Sequence, residues 1–257
     1  MKSGSEQELT KLLSDPRLKR VEQKIRALAR PAIRLGVTPD KAATKLGASR
    51  AGGAPDLAVG AAYPRYDDAH AYSFLLQVNL ADVAKLDTEK LLPKDGLLSF
   101  FVGENIDELE YLSASAVIYT PKGTKLAPCP YPDKKTTERY KPAALTFSSS
   151  LSLPPTEWRI VQKLKLTDEE SEAYNDDVYN VLGYTSWKGG YFQMLGYERN
   201  SYSDTPDDKH ECLLCVSTVQ KMGWIWGDDN RLGFYIPKSD LAKKKLENAD
   251  SMYIDAC

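Results

Sequence analysis

Cysteine and histidine are scarce: 257 residues hold four of the first and two of the second. Four thiols do not make a disulfide framework in a chain of this size, so a reducing compartment is expected. Long apolar runs are missing too. None approaches the roughly 20 residues that span a bilayer. Met1 to Gln7 has no apolar stretch behind Lys2, which argues against a signal peptide. A soluble cytoplasmic protein with no membrane partner is expected. The marks of familiar chemistries are also absent. There is no G-x-S-x-G elbow, no P-loop and no G-x-G-x-x-G. No catalytic residue, metal site or cofactor is therefore assigned.

What is present is ordinary globular material, 42% hydrophobic and 27% charged, too apolar for a disordered chain. The net charge of −2 conceals an asymmetry. Residues 1–50 carry 12 basic and 5 acidic side chains, and the remainder carries 22 basic and 31 acidic. Such an arm can serve an acidic partner or complement its own body, and the second reading is preferred. Its basic stretch 17–30 has no interleaved aromatics, so nucleic acid is not the expected partner.

The arm reads as helical. Asp15 and Pro16 suit an N-cap and first position, and Leu18, Val21, Ile25 and Leu28 form one stripe that Pro31 ends. A second short helix is expected from Thr38-Pro39 to about Leu46. Strands are expected at Phe74–Val78, Leu97–Val102, Ala114–Tyr119, within Ala143–Ser150, and at Cys212–Val216 and Leu232–Ile236. Helical patterns lie at Leu80–Leu92, at 168–184 behind Asp168-Glu169-Glu170, and from Ser239 to Asn248. Residues 121–142, rich in Pro, Lys and Thr, read as a long surface excursion.

Segments of the two halves match. Leu75–Val78 corresponds to Leu213–Val216 at an offset of 138, and Asp95–Val102 to Asp229–Ile236 at 134. Gly52-Gly53 and Gly189-Gly190 stand 137 apart. Asp-Gly and Asp-Asn at the matching turns both accept the positive φ of a tight hairpin. The expected fold is α+β: an internally duplicated β core with pseudo-two-fold halves, an N-terminal helical region and peripheral helices. The expected organisation is a helical arm, 1–47, packed on a body, 48–257, with repeat halves of about 50–150 and 187–250.

The same segments resemble the YwqG-like (DUF1963) family. The resemblance runs through Gly52-Gly53-Ala54-Pro55, Tyr63-Pro64, Phe74–Leu80 and Leu92–Phe101. It continues in Met194-Leu195-Gly196-Tyr197, Leu213–Ser217 and Trp226–Ile236. It implies the fold far better than a function. Some members are proposed, from genomic company, to belong to toxin–immunity systems, which implies recognition of a protein partner.

The candidate site follows from the residues left over. Trp224 and Trp226 offer a stacking platform beside Asp228, the most individual stretch of the second half. Asp56 is a carboxylate near the glycine pairs, and Gly53 and Gly190 allow close backbone approach. A structural role for the tryptophans, with one in the core, is the preferred reading. Cys212-x-x-Cys215 has redox or zinc spacing, yet residues three apart in a strand face opposite ways. Small buried hydrophobes are the preferred role. His70 and His210 are read as surface histidines. A protein-binding module is expected, with an enzyme or small-ligand binder near Trp226 and Asp228 as the alternative.

Overall fold

Ile33, Leu35 and Val37 are buried while Arg34, Gly36 and Thr38 between them are only half-buried, the period-2 pattern of a strand. The structure, a computed structural model, describes residues 4–39, 45–68, 70–103, 115–132, 140–179, 182, 192–197, 209–226 and 231–254. Twelve strands are described: β1 (Arg30–Pro39), β2 (Arg50–Ala51), β3 (Asp56–Ala58), β4 (Ser73–Asn79), β5 (Leu97–Val102), β6 (Ser115–Thr120), β7 (Leu126–Pro128), β8 (Ala143–Ser152), β9 (Phe192–Met194), β10 (His210–Ser217), β11 (Arg231–Pro237) and β12 (Asp250–Ile254). Ten of them form one antiparallel sheet in the order β12-β11-β10-β9-β1-β8-β2-β4-β5-β6. β3 and β7 make a separate ribbon. The edge strands β6 and β12 approach each other, with Ser115 and Asp250 side chains 3.4 Å apart, so the sheet nearly closes into a barrel.

The interior of the curved sheet is the main core. Ile33, Leu35, Leu76, Phe100, Leu214, Val216 and Phe234 meet there, and Phe100 packs edge-on against Phe234 at 5.0 Å. A second core lies outside it. Leu9, Leu13, Leu18, Val21 and Ile25 pack on Leu151, Leu153, Tyr174 and Val178. These come from the N-terminal helices Gly4–Leu12 and Glu22–Leu28, the 3-10 turn Pro16–Leu18 and the residues that link them, and from residues 151–178.

Two sequence expectations in the arm are corrected. Thr38 and Pro39 end β1 instead of opening a helix, residues 40–44 of the expected helix lying outside the described residues. Pro31, which does follow the helix Glu22–Leu28, stands inside the strand. The strand occupies the centre of the sheet between β9 and β8, so residues 1–47 are not wholly helical. Prolines are tolerated because they stand near the ends of β1, where ladder bonding is least continuous. The expected helices over Leu80–Leu92 and Ser239–Asn248 are also shorter, α-helical at Leu80–Val83 and Lys238–Ala242. The arm's charge is used within the chain: Arg17 pairs with Asp15 and Asp177, Arg20 with Glu170, and Arg30 with Glu89 and Glu211.

The ladder registers of the two halves coincide. β4 pairs β5 through Gln77↔Ser99 and Val78↔Leu98, and β10 pairs β11 through Cys215↔Gly233 and Val216↔Leu232. A bulge interrupts both ladders at the same rung, between Phe74 and Leu76 and between Cys212 and Leu214. β1 pairs with β9, and β8 with β2, so the β1–β8 pair joins the two ladders into one sheet.

A tyrosine-lined pocket beside the Gly52–Gly53 turn

β2 ends in two consecutive residues of left-handed conformation, Gly52 at φ +60° and Gly53 at +70°. A Cβ on Gly52 would overlap the Lys141 carbonyl, so only glycine fits. The turn is tied down by its own amides. Gly52 donates to the Leu75 carbonyl at 2.9 Å and Gly53 to the Tyr140 carbonyl at 3.0 Å.

Behind it lies a buried polar network. Arg50 donates bidentately to Asp56, 2.8 Å to each oxygen, and 2.6 Å to the Ala54 carbonyl. The Gln77 amide donates to Asp56 at 2.9 Å, and the Gly47 N–H at 2.8 Å. Burial pushes the Asp56 carboxyl upward, but Arg50, Gln77 and Gly47 together outweigh it and hold it below its ordinary range. Asp56 is therefore an anchored structural carboxylate, not the open ligand group the sequence suggests. Its oxygens are already engaged.

In front of the turn is a cavity of about 40 Å³. Gly53, Ala54, Tyr63, Ser73, Tyr131 and Tyr140 line it, and exposed Pro130 stands at its rim. The Tyr63 and Tyr131 rings meet at 5.6 Å and 79°. Burial, aided by Tyr131 and Cys129, raises the Tyr63 phenol well above its ordinary value, so it stays neutral. Ser73 is fully buried and its hydroxyl has no hydrogen-bond partner. Such an orphan is costly, and a group entering the cavity would satisfy it.

The tryptophan platform is corrected. Trp224 and Trp226 are both completely buried, while Ile225 between them is 54% exposed. Gly223, at φ +79°, ends the short 3-10 turn Gln220–Met222 and directs Trp224 inward. Both indoles pack edge-on against Tyr140, at 6.4 and 6.2 Å, so they buttress one wall of the pocket from inside the core. Gly53 is the sequence candidate that lines the cavity. Asp228 and Gly190 lie outside the described residues. A second left-handed pair, Leu195–Gly196 at φ +61° and +76°, follows β9, and Gly189, like Gly190, lies outside the described residues.

The cysteines are buried small residues, as preferred, but their opposite facing is corrected. The bulge adds a residue between Cys212 and Leu214, so Cys212 and Cys215 fall in one buried cluster with Tyr235. No group of three or more metal-ligating side chains occurs among the described residues. His70 is exposed, 2.9 Å from Asp67 and stacked on Tyr66.

Sequence reasoning missed Ser73, Tyr131 and Tyr140. Tyr63 stood in the Tyr63-Pro64 pair, and Tyr131 and Tyr140 in the 121–142 excursion; no local pattern links them to β4. No helix of the described residues is long and apolar enough to cross a membrane. A family profile described as a domain of unknown function, DUF1963, matches residues 49–257. No curated protein matches the chain.

Proposed function

The chain belongs to the DUF1963 family, and from that premise we propose that it is a binding module that receives a side-chain-sized group of a protein partner in the pocket beside Gly53. The observation that carries this is the buried, unpartnered Ser73 hydroxyl in an aromatic cavity that reaches the surface. The lining favours binding over chemistry: no histidine, carboxylate or lysine stands among the lining residues to act as a base. Immunity-type recognition is one form of this reading, drawn from the resemblance to YwqG-like proteins. The small-ligand alternative is kept at this pocket rather than beside Trp226.

Two further parts of the reading are proposals. Internal duplication is supported by a strand order that reads alike from both ends, with matching bulges. A cytoplasmic location is supported by the scarcity of cysteine, four residues being too few for a disulfide framework in a chain of this size. The binding reading is tested by affinity capture with the full chain and with Ala54→Trp, which fills the cavity. A stoichiometric protein captured by the first and lost from the folded second is expected. Equal recovery with both, or none with either, overturns it.

A further inference from the structure

The ladder registers carry a correspondence beyond the strands themselves. Ser73 and Glu211 occupy one rung, opposite Val102 and Ile236. On the other side, Arg50 faces Gln77 and Ala144, while Gln193 faces Cys215 and Arg34. Arg50 is thus matched with Gln193 and Ala144 with Arg34. Four residues before these last two stand Tyr140 and Arg30, which makes them counterparts. Two independent observations agree. The left-handed pairs Gly52–Gly53 and Leu195–Gly196 coincide. Arg50 donates to the Ala54 carbonyl as Gln193 donates to that of Tyr197, at 2.6 and 2.9 Å.

The pocket residues Ser73, Ala54 and Tyr140 therefore have Glu211, Tyr197 and Arg30 as counterparts. In the second half those three touch. The Arg30 guanidinium lies 3.1 Å from the Glu211 carboxylate and 5.3 Å from the centre of the Tyr197 ring. In the first half serine replaces glutamate and alanine replaces tyrosine. Those smaller side chains leave the cavity. We propose that the pocket receives a guanidinium group from outside the chain, in the position that Arg30 supplies internally to the other half. This rests on the binding reading above.

The lining chemistry fits a cation and opposes an anion. Two successive left-handed residues are the geometry of an anion nest. Here, however, both N–H groups are already hydrogen-bonded to Leu75 and Tyr140. What remains is an acceptor, the Ser73 hydroxyl, and tyrosine rings whose faces attract guanidinium. No lysine or arginine is among the lining residues, and the chain beyond residue 50 is acidic.

Methylguanidinium and an N-acetyl-arginine-amide peptide are to be titrated into the full chain, well below denaturing concentration, and followed by NMR. N-methylurea, an uncharged isostere, and inorganic phosphate are the comparison probes. Both guanidinium probes are expected to bind at least tenfold more tightly than either comparison. Ser73→Ala, with its fold checked by circular dichroism, should weaken them severalfold. Ser73→Glu restores the carboxylate of Glu211 and should tighten them about tenfold. Equal binding of N-methylurea, or tighter phosphate, overturns the guanidinium assignment. If those occur while Ala54→Trp still abolishes partner capture, the binding reading survives without it. Peptide binding unaffected by both Ser73 variants and by Ala54→Trp overturns the site itself.

Discussion

At the scale of single residues, the Arg50–Asp56 pair is the most exacting arrangement in the chain. Both partners are buried, and every oxygen of Asp56 has a donor. Arg50→Ala would leave a buried carboxylate without its counter-charge, which costs about 3–5 kcal/mol. Urea unfolding should show that loss, and Arg50→Lys should recover only part of it because lysine lacks the bidentate fork. Glu170 gives a pH prediction. Arg20 first, then the Thr167 N–H, hold its carboxyl down at about 2, against an ordinary 4.5. A depressed carboxylate adds stability that is present above 4.5 and disappears as pH falls toward 2. Acid titration of wild type and Glu170→Gln should therefore diverge above pH 4.5 and converge near pH 2. Neither pairing is legible locally. Arg50 and Asp56 are close in sequence, but what buries them is β4, some 20 residues away.

At the scale of elements, short β-prone runs and turn chemistry made β4, β5, β6, β8, β10 and β11 readable; β4, β5, β10 and β11 are buried at nearly every position, so a continuous apolar run marks them. β1 instead carries an alternation through Ile33, Leu35 and Val37. Its flanking Pro31 and Pro39 mask it, since proline reads as a helix stop or a loop. The bulge at Cys212–Leu214 is the converse case. It reverses the facing of two cysteines, and nothing in Glu211-Cys212-Leu213-Leu214 announces an extra residue. Gly52 tests how far a turn depends on one residue. Gly52→Ala introduces a left-handed alanine against the Lys141 carbonyl and should cost on the order of 1–3 kcal/mol in thermal or urea unfolding. The same change should disturb the pocket wall, seen as shifted Tyr140 resonances.

At the scale of the whole molecule, β1 ties the two ends of the sheet together. β1 is held by β8 on one side and β9 on the other. Deleting residues 1–47 should therefore abolish cooperative unfolding rather than trim an accessory arm. Deleting residues 1–28 should leave the sheet's transition but expose Leu151, Leu153, Tyr174 and Val178. Calorimetry of the two truncations separates these outcomes. The basic arm is consistent with this view, because Arg17, Arg20 and Arg30 already meet carboxylates of the body.

The sequence by itself determined that β4, β5, β6, β8, β10 and β11 would be strands, that Gly52–Gly53 would need positive φ, and that similar motifs recur along the chain. Those properties are local: periodicity, positive φ and spacing are written in consecutive residues. The position of β1 at the centre of the sheet, the burial of Trp224 and Trp226, and the meeting of Ser73 with Tyr63, Tyr131 and Tyr140 were decided only by tertiary structure. They depend on which strands pair, and pairing sums many weak contacts between residues far apart in sequence, as Ile33 and Met194 are.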